Sequence, residues 1–132
     1  MTAERILEKK GHKVFSVDEG VTLKAVIAEL ARHRVGVLLV TNTSDDKVGI
    51  ISERDLIRVI AQHGAKALQM FVTDVMTKEV VCCTEQTSVD EIMELMTRGR
   101  FRHLPVVEDG RLIGQVSRHD LLRALKQAAQ HQ

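Results

Sequence analysis

The sequence predicts an α/β fold with mixed α+β sheets, built from two pseudo-symmetric units that each run strand, helix, strand, strand, helix. The main observation is a repeat: the stretch GIISERDLIR at residues 49–58 returns as GQVSRHDLLR at 114–123. Identical residues stand 65 positions apart at Gly49/Gly114, Ser52/Ser117, Asp55/Asp120, Leu56/Leu121 and Arg58/Arg123. The same order of strand-like and helix-like segments precedes each copy. A duplication of this length indicates two copies of one supersecondary unit.

In the first copy, residues 4–9 predict a short helix ended by Gly11, and residues 14–17 alternate as a short strand. Thr22 is the expected N-cap of the next helix. The strands expected at 36–40 and 48–51 are joined by a polar turn at 42–47. Ser52 opens the closing helix and Gly64 ends it, with Leu56, Ile57 and Ile60 expected to face inward.

The second copy repeats this order after residues 72–77, the counterpart of the leading helix. A strand is expected at 80–83, and Ser88 with Glu91 predicts a capping box at the start of a helix. Strands at 104–107 and 112–116 flank a turn at Asp109 and Gly110. The last helix is expected to bury Leu121, Leu122 and Leu125 and to fray over 128–132. We therefore expect residues 1–70 to form one unit and 71–132 the other, packed together as one module.

The composition argues against several classes of protein. Nineteen basic and 18 acidic residues give a net charge of +1, so no broad field favours nucleic acid or an anionic membrane. No apolar run reaches the roughly 18 residues of a spanning helix. Cys82 and Cys83 are adjacent, and the six histidines lack the spacing of metal ligands, so neither a disulfide between the cysteines nor a metal site is expected. We expect a soluble, cytoplasmic protein.

These features resemble those of a tandem pair of cystathionine β-synthase (CBS) domains, often called a Bateman module. The resemblance depends on the two Gly-x-x-Ser-x-x-Asp motifs, on Val-Thr-Asp-Val-Met-Thr at 72–77, and on Phe-Arg-His-Leu-Pro-Val at 101–106. It implies a regulatory module without catalytic activity that binds AMP, ATP or NAD(H) in a cleft between its two units. It also implies a homodimer and a separate effector protein as partner.

The resemblance further implies which residues bind the nucleotide. The Asp of each motif accepts hydrogen bonds from the ribose hydroxyls, the Ser contacts phosphate, and apolar residues of the partner unit hold adenine. Carried over to this chain, one site consists of Ser52, Asp55, Val80, Val81, Arg102, His103 and Pro105. The other consists of Ser117, Asp120, Val14, Phe15, Val35 and Gly36.

The chemistry of these residue types fits that assignment. An ionised carboxylate offers only acceptors, which matches a cis-diol that presents two donors. A Ser at a helix start, beside unpaired amide groups, favours an anion such as phosphate. Arg100, Arg102 and His103 are expected to add positive charge, with Arg102 preferred among them, and Arg118 with His119 can add to it. The first unit has Val35 and Gly36 at the aligned positions. The two sites are therefore expected to differ in ligand or affinity.

Alternatives to nucleotide binding are open at the level of sequence. Ser-x-x-Asp is also a helix-capping arrangement, and for a single helix that interpretation is favoured about two to one because caps are common. In that case the chain is a dimerisation or scaffolding module without a nucleotide, using the exposed faces that carry Ile57, Ile60, Met93 or Met96. Repetition of the motif behind matching hairpins favours nucleotide binding. An enzyme is not expected, since the sequence lacks a nucleophile–base pair, and nucleic-acid binding is the weakest alternative.

Overall fold

The computed structural model describes residues 1–43, 47–100 and 102–130. The central part of the expected turn at 42–47, residue 101 and the last two residues lie outside these ranges. In chain order the helices and strands are α1 (Ala3–Lys10), β1 (Ser16–Asp18), α2 (Leu23–His33), β2 (Val37–Thr41), β3 (Lys47–Ser52), α3 (Glu53–His63), α4 (Val89–Gly99), β4 (His103–Glu108), β5 (Arg111–Ser117) and α5 (Arg118–Gln130). Two short 3₁₀ helices, Gly64–Gln69 and Val72–Asp74, follow α3. The mixed α/β fold expected from the sequence is confirmed. Among the described residues, no helix combines the length and the apolar character needed to cross a bilayer.

The chain separates into two compact units that differ from the expected division at residue 70. One unit spans residues 14–80, and the other joins residues 1–13 to the chain from residue 81 onward. Helix α1 therefore belongs with the second repeat, and the 72–77 segment belongs with the first. In sequence each leading segment precedes its own repeat, but in the structure it packs against the other one.

The glycine of each repeated motif explains why the leading segments pack this way. A Cβ atom on Gly114 would lie 2.8 Å from a methyl carbon of Leu7, which is fully buried. A Cβ on Gly49 would likewise overlap the Met76 side chain. Any larger residue would push the leading segment away, since a buried core has little room for an added carbon. These glycines are packing sites, and their role in the motif is to bring α1 and residues 72–77 onto the strands.

The 14–80 unit contains a three-stranded mixed sheet in the order β1-β2-β3. Strand β1 is parallel to β2, whereas β2 is antiparallel to β3. This is the arrangement expected when a helix connects the first pair and a short turn connects the second. The buried residues described in this unit are aliphatic apart from Thr41 and Gly49 and include Val17, Leu23, Val26, Leu38, Val40, Ile51, Leu56 and Val59.

The other unit contains a two-stranded antiparallel sheet, β4-β5, joined by a tight turn at Asp109 and Gly110, both with positive φ. Its core combines α1 with the second repeat. The largest fully buried side chains of this core are Leu7, Ile92, Met96, Leu104 and Leu121. Met96 is therefore part of the core, which removes it from the exposed faces that the scaffolding alternative would use.

The third strand of this unit, expected at residues 80–83, is reduced to a single β-bridge. Cys83 pairs in parallel with Val106. Its amide donates to the carbonyl of Pro105, and its carbonyl accepts from the amide of Val107, each at 2.9 Å. The predicted strand is wrong over residues 80–82.

Pro105 explains this difference between the units. In a parallel ladder the next hydrogen bond would run from the amide of residue 105 to the carbonyl of Val81, and proline has no N–H to donate. The equivalent bond exists in the first unit, where the amide of Leu39 donates to the carbonyl of Phe15 at 3.2 Å. Pro105 is buried, and β4 is an edge strand at this point, because β5 is its one partner strand among the described residues. The pairing of residues 80–83 therefore stops at Cys83.

The N-caps predicted from the sequence are present. The side chains of Thr22, Ser52 and Ser88 each accept a hydrogen bond from the amide three residues further on. Glu91 completes the cap at Ser88 differently from the expected capping box, because its carboxylate accepts from the Ser88 hydroxyl at 3.1 Å. Gly64 ends α3 with a φ of +64°, as expected.

Helix α3 buries a narrower stripe than the sequence predicted. Leu56 and Val59 are buried, whereas Ile57 is 69% exposed and Ile60 is also exposed. Each exposed isoleucine follows a buried residue by one position, and one residue turns a helix by about 100°, away from the core. The prediction that Ile57 and Ile60 face inward is wrong.

Helix α5 shows the same difference at the equivalent positions. Leu121 is fully buried, but Leu122 is 53% exposed and Leu125 is exposed as well. The prediction that all three face inward is therefore wrong for the last two. Each unit presents an exposed apolar pair, three residues apart, on its closing helix.

Candidate functional site

The second Ser-x-x-Asp motif lies where β5 ends and α5 begins. Ser117 is the last residue of β5, and its hydroxyl accepts a hydrogen bond from the amide of Asp120 at 3.0 Å. In return, Oδ2 of Asp120 accepts from the amide of Ser117 at 2.8 Å. These two bonds satisfy amide groups that a helix start leaves unpaired.

The first motif has the same arrangement at the start of α3. The hydroxyl of Ser52 accepts from the amide of Asp55 at 3.3 Å, and Oδ2 of Asp55 accepts from the amide of Ser52 at 2.9 Å and from its hydroxyl at 3.0 Å. The guanidinium of Arg58 lies 3.9 Å from Oδ1 of Asp55 and is largely exposed, so this ion pair is weak. Both motifs therefore act as helix caps in this structure, as the alternative interpretation expects.

Lys10, the last residue of α1, distinguishes the two carboxylates. Its ammonium donates to Oδ2 of Asp120 at 2.6 Å and to the carbonyl of Gln115 at 2.9 Å. The Asp120 side chain is only 10% exposed. Among the described residues, Asp55 has no lysine partner. Sequence reasoning missed Lys10, because it lies 110 residues from Asp120 and in no repeated motif.

A cavity of about 370 Å³ lies beside Ser117. The β4-β5 register places His103 directly opposite Ser117, and the amide of Arg118 donates to the carbonyl of Arg102 at 2.8 Å. The residues that line the cavity are Arg102, His103, Ser117, Arg118, His119 and Leu122. Four residues of the cationic group expected from the sequence are thus brought together, whereas Arg100 is the C-cap of α4 and is not among the lining residues. Its position beside Ser117 differs from the expected grouping, which placed Arg102 and His103 with Ser52.

The first unit has different chemistry at the equivalent positions. Val37 pairs with Ser52, and the amide of Glu53 donates to the carbonyl of Gly36 at 2.9 Å. The Glu53 carboxylate lies over Gly36, where a Cβ atom would be 3.0 Å from its Oε1. Gly36 and Glu53 therefore occupy the places that Arg102 and Arg118 hold in the other unit. One neutral residue and one anion replace two cations.

Of the remaining residues of the expected sites, all except Val80 also lie with their own repeat. Val14, Phe15 and Val35, like Gly36, belong to the 14–80 unit that contains Asp55. Phe15 stacks on the His33 ring, with the ring centroids 3.9 Å apart.

Val81 and Pro105 belong to the unit that contains Asp120, and Val80 is the last residue of the other unit. Pro105 is buried and Val81 is exposed. In the grouping expected from the family, Asp55 takes its apolar residues from the second repeat and Asp120 takes them from the first.

The electrostatics of the Ser117 cavity follow from burial and from Lys10. Burial raises the pKa of Asp120, but the hydrogen bonds from Lys10 and Ser117 outweigh it, so the pKa lies below its ordinary value. Burial lowers the pKa of His103, and the nearby charge of Lys10 lowers it further. Asp120 is therefore ionised and His103 neutral near pH 7. Within the described part of the chain, no three His, Cys, Asp or Glu side chains converge as they would around a metal ion.

Comparisons with known proteins identify the family. The model of the CBS domain matches the chain twice, over residues 6–62 and 72–127. A mitochondrial CBS-domain-containing protein of Arabidopsis thaliana is 37% identical over 108 residues, which cover 79% of this chain and 52% of that protein. The chain thus spans about half the length of this relative.

Two solved structures have the same fold. A CBS-domain-containing protein of Agrobacterium tumefaciens matches with a TM-score of 0.91 at 39% identity, over 95% of this chain and 99% of that one. A CBS domain protein of Pyrobaculum aerophilum, solved in complex with AMP, matches with a TM-score of 0.82 at 26% identity, over 96% and 99% of the two chains. With its duplicated motif and two family matches, this chain belongs to the CBS-domain family and carries two CBS domains in tandem.

Proposed function

We propose that the chain is a regulatory module without catalytic activity that binds adenosine nucleotides, namely AMP, ATP or NAD(H). In this proposal it signals to a partner protein whether a nucleotide is bound. The observation that carries this proposal is the repeated Ser-x-x-Asp motif, which sets a carboxylate and a hydroxyl at the start of a helix in both units. The AMP complex of the Pyrobaculum relative supports the ligand class.

The capping geometry is compatible with binding a ribose. The hydrogen bonds of Asp120 to described residues all use Oδ2, so its Oδ1 is available to a hydroxyl donor. In the first motif the Ser52 hydroxyl donates to Oδ2 of Asp55. This hydroxyl can rotate toward a ligand, where it can act as a donor or as an acceptor. A phosphate placed at Ser52 or Ser117 is favoured by the helix dipole.

Calorimetric titration tests this proposal directly. AMP, ADP, ATP, NAD⁺, NADH and S-adenosylmethionine are titrated into the wild-type chain and into Asp55→Asn, Asp120→Asn and the double variant. Asparagine keeps an oxygen for the helix cap but loses the charge, so the variants should stay folded. We expect each single variant to weaken one class of site by roughly tenfold or more, since a hydrogen bond to a charged group contributes about 1.5–3 kcal/mol. Unchanged binding of every nucleotide to the double variant would refute the assignment.

A second candidate function, a dimerisation or scaffolding module, is favoured by the exposed apolar pairs on α3 and α5. Ile57 and Leu122 occupy equivalent positions, as do Ile60 and Leu125, and all four are exposed in the isolated chain. Such faces are typical of helices that pack against another chain. We propose that they mediate a homodimer, which is compatible with nucleotide binding.

Sedimentation equilibrium tests the dimer. Ile57→Asp and Leu122→Asp are expected to shift the chain toward a monomer, whereas the exposed polar change Gln62→Asp on α3 serves as the control. A wild-type monomer at all concentrations would exclude the dimer. A dimer whose melting temperature no nucleotide raises would favour scaffolding over ligand sensing.

A further inference from the structure

We infer that two copies of this chain associate with α3 of each copy packed on α5 of the other. We call this the mixed pairing, and we call α3 on α3 together with α5 on α5 the like pairing. The inference rests on the homodimer proposed above, since it assigns the partner of each exposed helix face. It depends on exposed charges beside the two apolar pairs, which differ between the repeats.

The two faces carry their apolar residues at equivalent positions. Ile57 and Ile60 on α3 correspond to Leu122 and Leu125 on α5, and all four side chains are exposed. A spacing of three residues places each pair on one face of its helix. The apolar residues alone therefore allow the mixed pairing and the like pairing equally.

The charges beside the apolar pairs differ. The residues four positions before and four positions after the first apolar residue are Glu53 and Ala61 on α3, and Arg118 and Lys126 on α5. All four are exposed. Residues four positions apart lie on the same side of a helix. The α3 face therefore carries an acid, whereas the α5 face carries two bases.

These charges are available to a second copy. In the part of the chain that the structure describes, the ion pairs join other residues, and Glu53, Arg118 and Lys126 take part in none. Arg54 and His119 occupy the next pair of equivalent positions. With Arg54 counted, the α3 face has no net charge, and the α5 face stays positive whatever the charge of His119.

The two pairings differ in the sign of their charge contacts. In the like pairing, Arg118 and Lys126 of one copy would face the same two bases of the other, and like charges at a contact repel. In the mixed pairing, Glu53 meets Lys126 of the second copy if the helices are antiparallel, or its Arg118 if they are parallel. Either contact is attractive, and a symmetric dimer contains it twice. The charges therefore favour the mixed pairing.

Cysteine cross-linking tests this arrangement directly. Ile60→Cys and Leu125→Cys are made in separate Cys82→Ser chains that carry tags of different length, and disulfides are detected on non-reducing gels. We expect each variant alone to give little cross-linked dimer and the mixture to give the heterodimer, because a disulfide needs Cα atoms within about 7 Å of each other. The Cys82→Ser chain without a new cysteine is the control.

Charge reversal gives a second test, measured by sedimentation equilibrium at low salt. Glu53→Lys should raise the dissociation constant of the dimer by about tenfold, since two attractive contacts become repulsive. Adding Arg118→Glu and Lys126→Glu to the same chain should restore the affinity. Asp90→Lys is the matched control, because it also removes an exposed acid from the first turn of a helix, and it should leave the dimer unchanged.

The same triple variant separates the two pairings. In the like pairing it still brings bases against bases on α3 and places acids against acids on α5, so it would not recover the affinity lost in Glu53→Lys. A triple variant that dimerises no better than Glu53→Lys therefore overturns the inference. Circular dichroism of each variant shows whether the chain is folded, so that a loss of folding is not counted as a loss of dimer.

The outcomes distinguish this inference from the proposals above. A wild-type chain that stays monomeric overturns both the homodimer and the mixed pairing. A dimer whose two cysteine variants each cross-link on their own, without an excess of heterodimer in the mixture, keeps the homodimer and overturns the mixed pairing. A dimer whose mixture gives no disulfide also overturns it, because the two faces are then not in contact. Nucleotide titration of the wild type tests the ligand proposal independently.

Discussion

The ion pair between Lys10 and Asp120 gives the sharpest prediction about stability. Its atoms are 2.6 Å apart, and the two side chains are 29% and 10% exposed. Exposed pairs contribute about 0.2–1 kcal/mol, whereas breaking a fully buried pair costs about 3–5 kcal/mol. Since this pair lies between those limits, we expect Lys10→Met to lower the free energy of unfolding by about 1–2 kcal/mol at pH 7.

The effect should depend on pH in a defined direction. The pKa of Asp120 is lowered in the folded state, so its contribution is present above the pKa of the unfolded chain, about 3.9, and is lost as pH falls through the lower folded value. Urea denaturation of the wild type and of Lys10→Met at pH 7 and pH 3 measures this. The difference between the two proteins should be largest at pH 7 and should shrink at pH 3.

A double-mutant cycle makes the prediction refutable. Lys10→Met, Asp120→Asn and the double variant should give a coupling energy of about 1 kcal/mol, as expected for residues in direct contact. Lys9→Met, on the same helix, should change stability by less than about 0.5 kcal/mol. Coupling near zero, or equal effects of the two lysine variants, would show that the ion pair does not stabilise the fold.

Three further predictions concern packing, charge and reactivity. Gly114→Ala should destabilise the chain by about 1–3 kcal/mol in urea denaturation, and this penalty should be smaller in a Leu7→Ala background, where there is room for the new methyl group. If the effects of the two substitutions on the free energy of unfolding simply add, the contact between residue 114 and Leu7 is contradicted. The pKa of His103 lies below 6.5, so lowering the pH through it should add a positive charge and strengthen ATP binding. The His103→Asn variant should lack this gain in affinity. An equal gain in the wild type and the variant would assign the effect to protonation of the ligand. Burial, with a smaller contribution from Cys82, raises the pKa of Cys83 to about 11, so native alkylation at pH 8 followed by mass spectrometry should find it unmodified; rapid labelling would contradict its burial.

Local chemistry made much of the fold predictable from the sequence. The N-caps at Thr22, Ser52 and Ser88 depend on a side chain and an amide three residues away, so a short sequence window contains both partners. The strand order in the first unit follows from the length of its connections. The sequence also contains Pro105, which lacks the N–H that a neighbouring strand would use as a donor. The strand that loses this hydrogen bond lies at residues 80–83, and the sequence alone does not show that these residues pair with Pro105.

The features that sequence did not predict depend on contacts between distant residues. Lys10 resembles Lys9 in every local respect, and only the packing of α1 on the Gly114 backbone carries it to Asp120. The exposure of Ile57 reflects a helix rotated by one residue from the predicted stripe, which local periodicity does not fix. The repeat in the sequence marks the two candidate carboxylates, whereas the residues beside each carboxylate depend on the strand register.

The most direct test of the central claim is a crystal structure of the chain with ATP, refined at a resolution that defines the ribose hydroxyls. We predict that a ribose lies at each of Asp55 and Asp120, with its hydroxyls within about 2.5–3.0 Å of the carboxylate oxygens, and that at Ser117 the phosphates contact Arg102 or Arg118. A nucleotide bound elsewhere, with both carboxylates still occupied only by their helix caps and Lys10, would contradict the account.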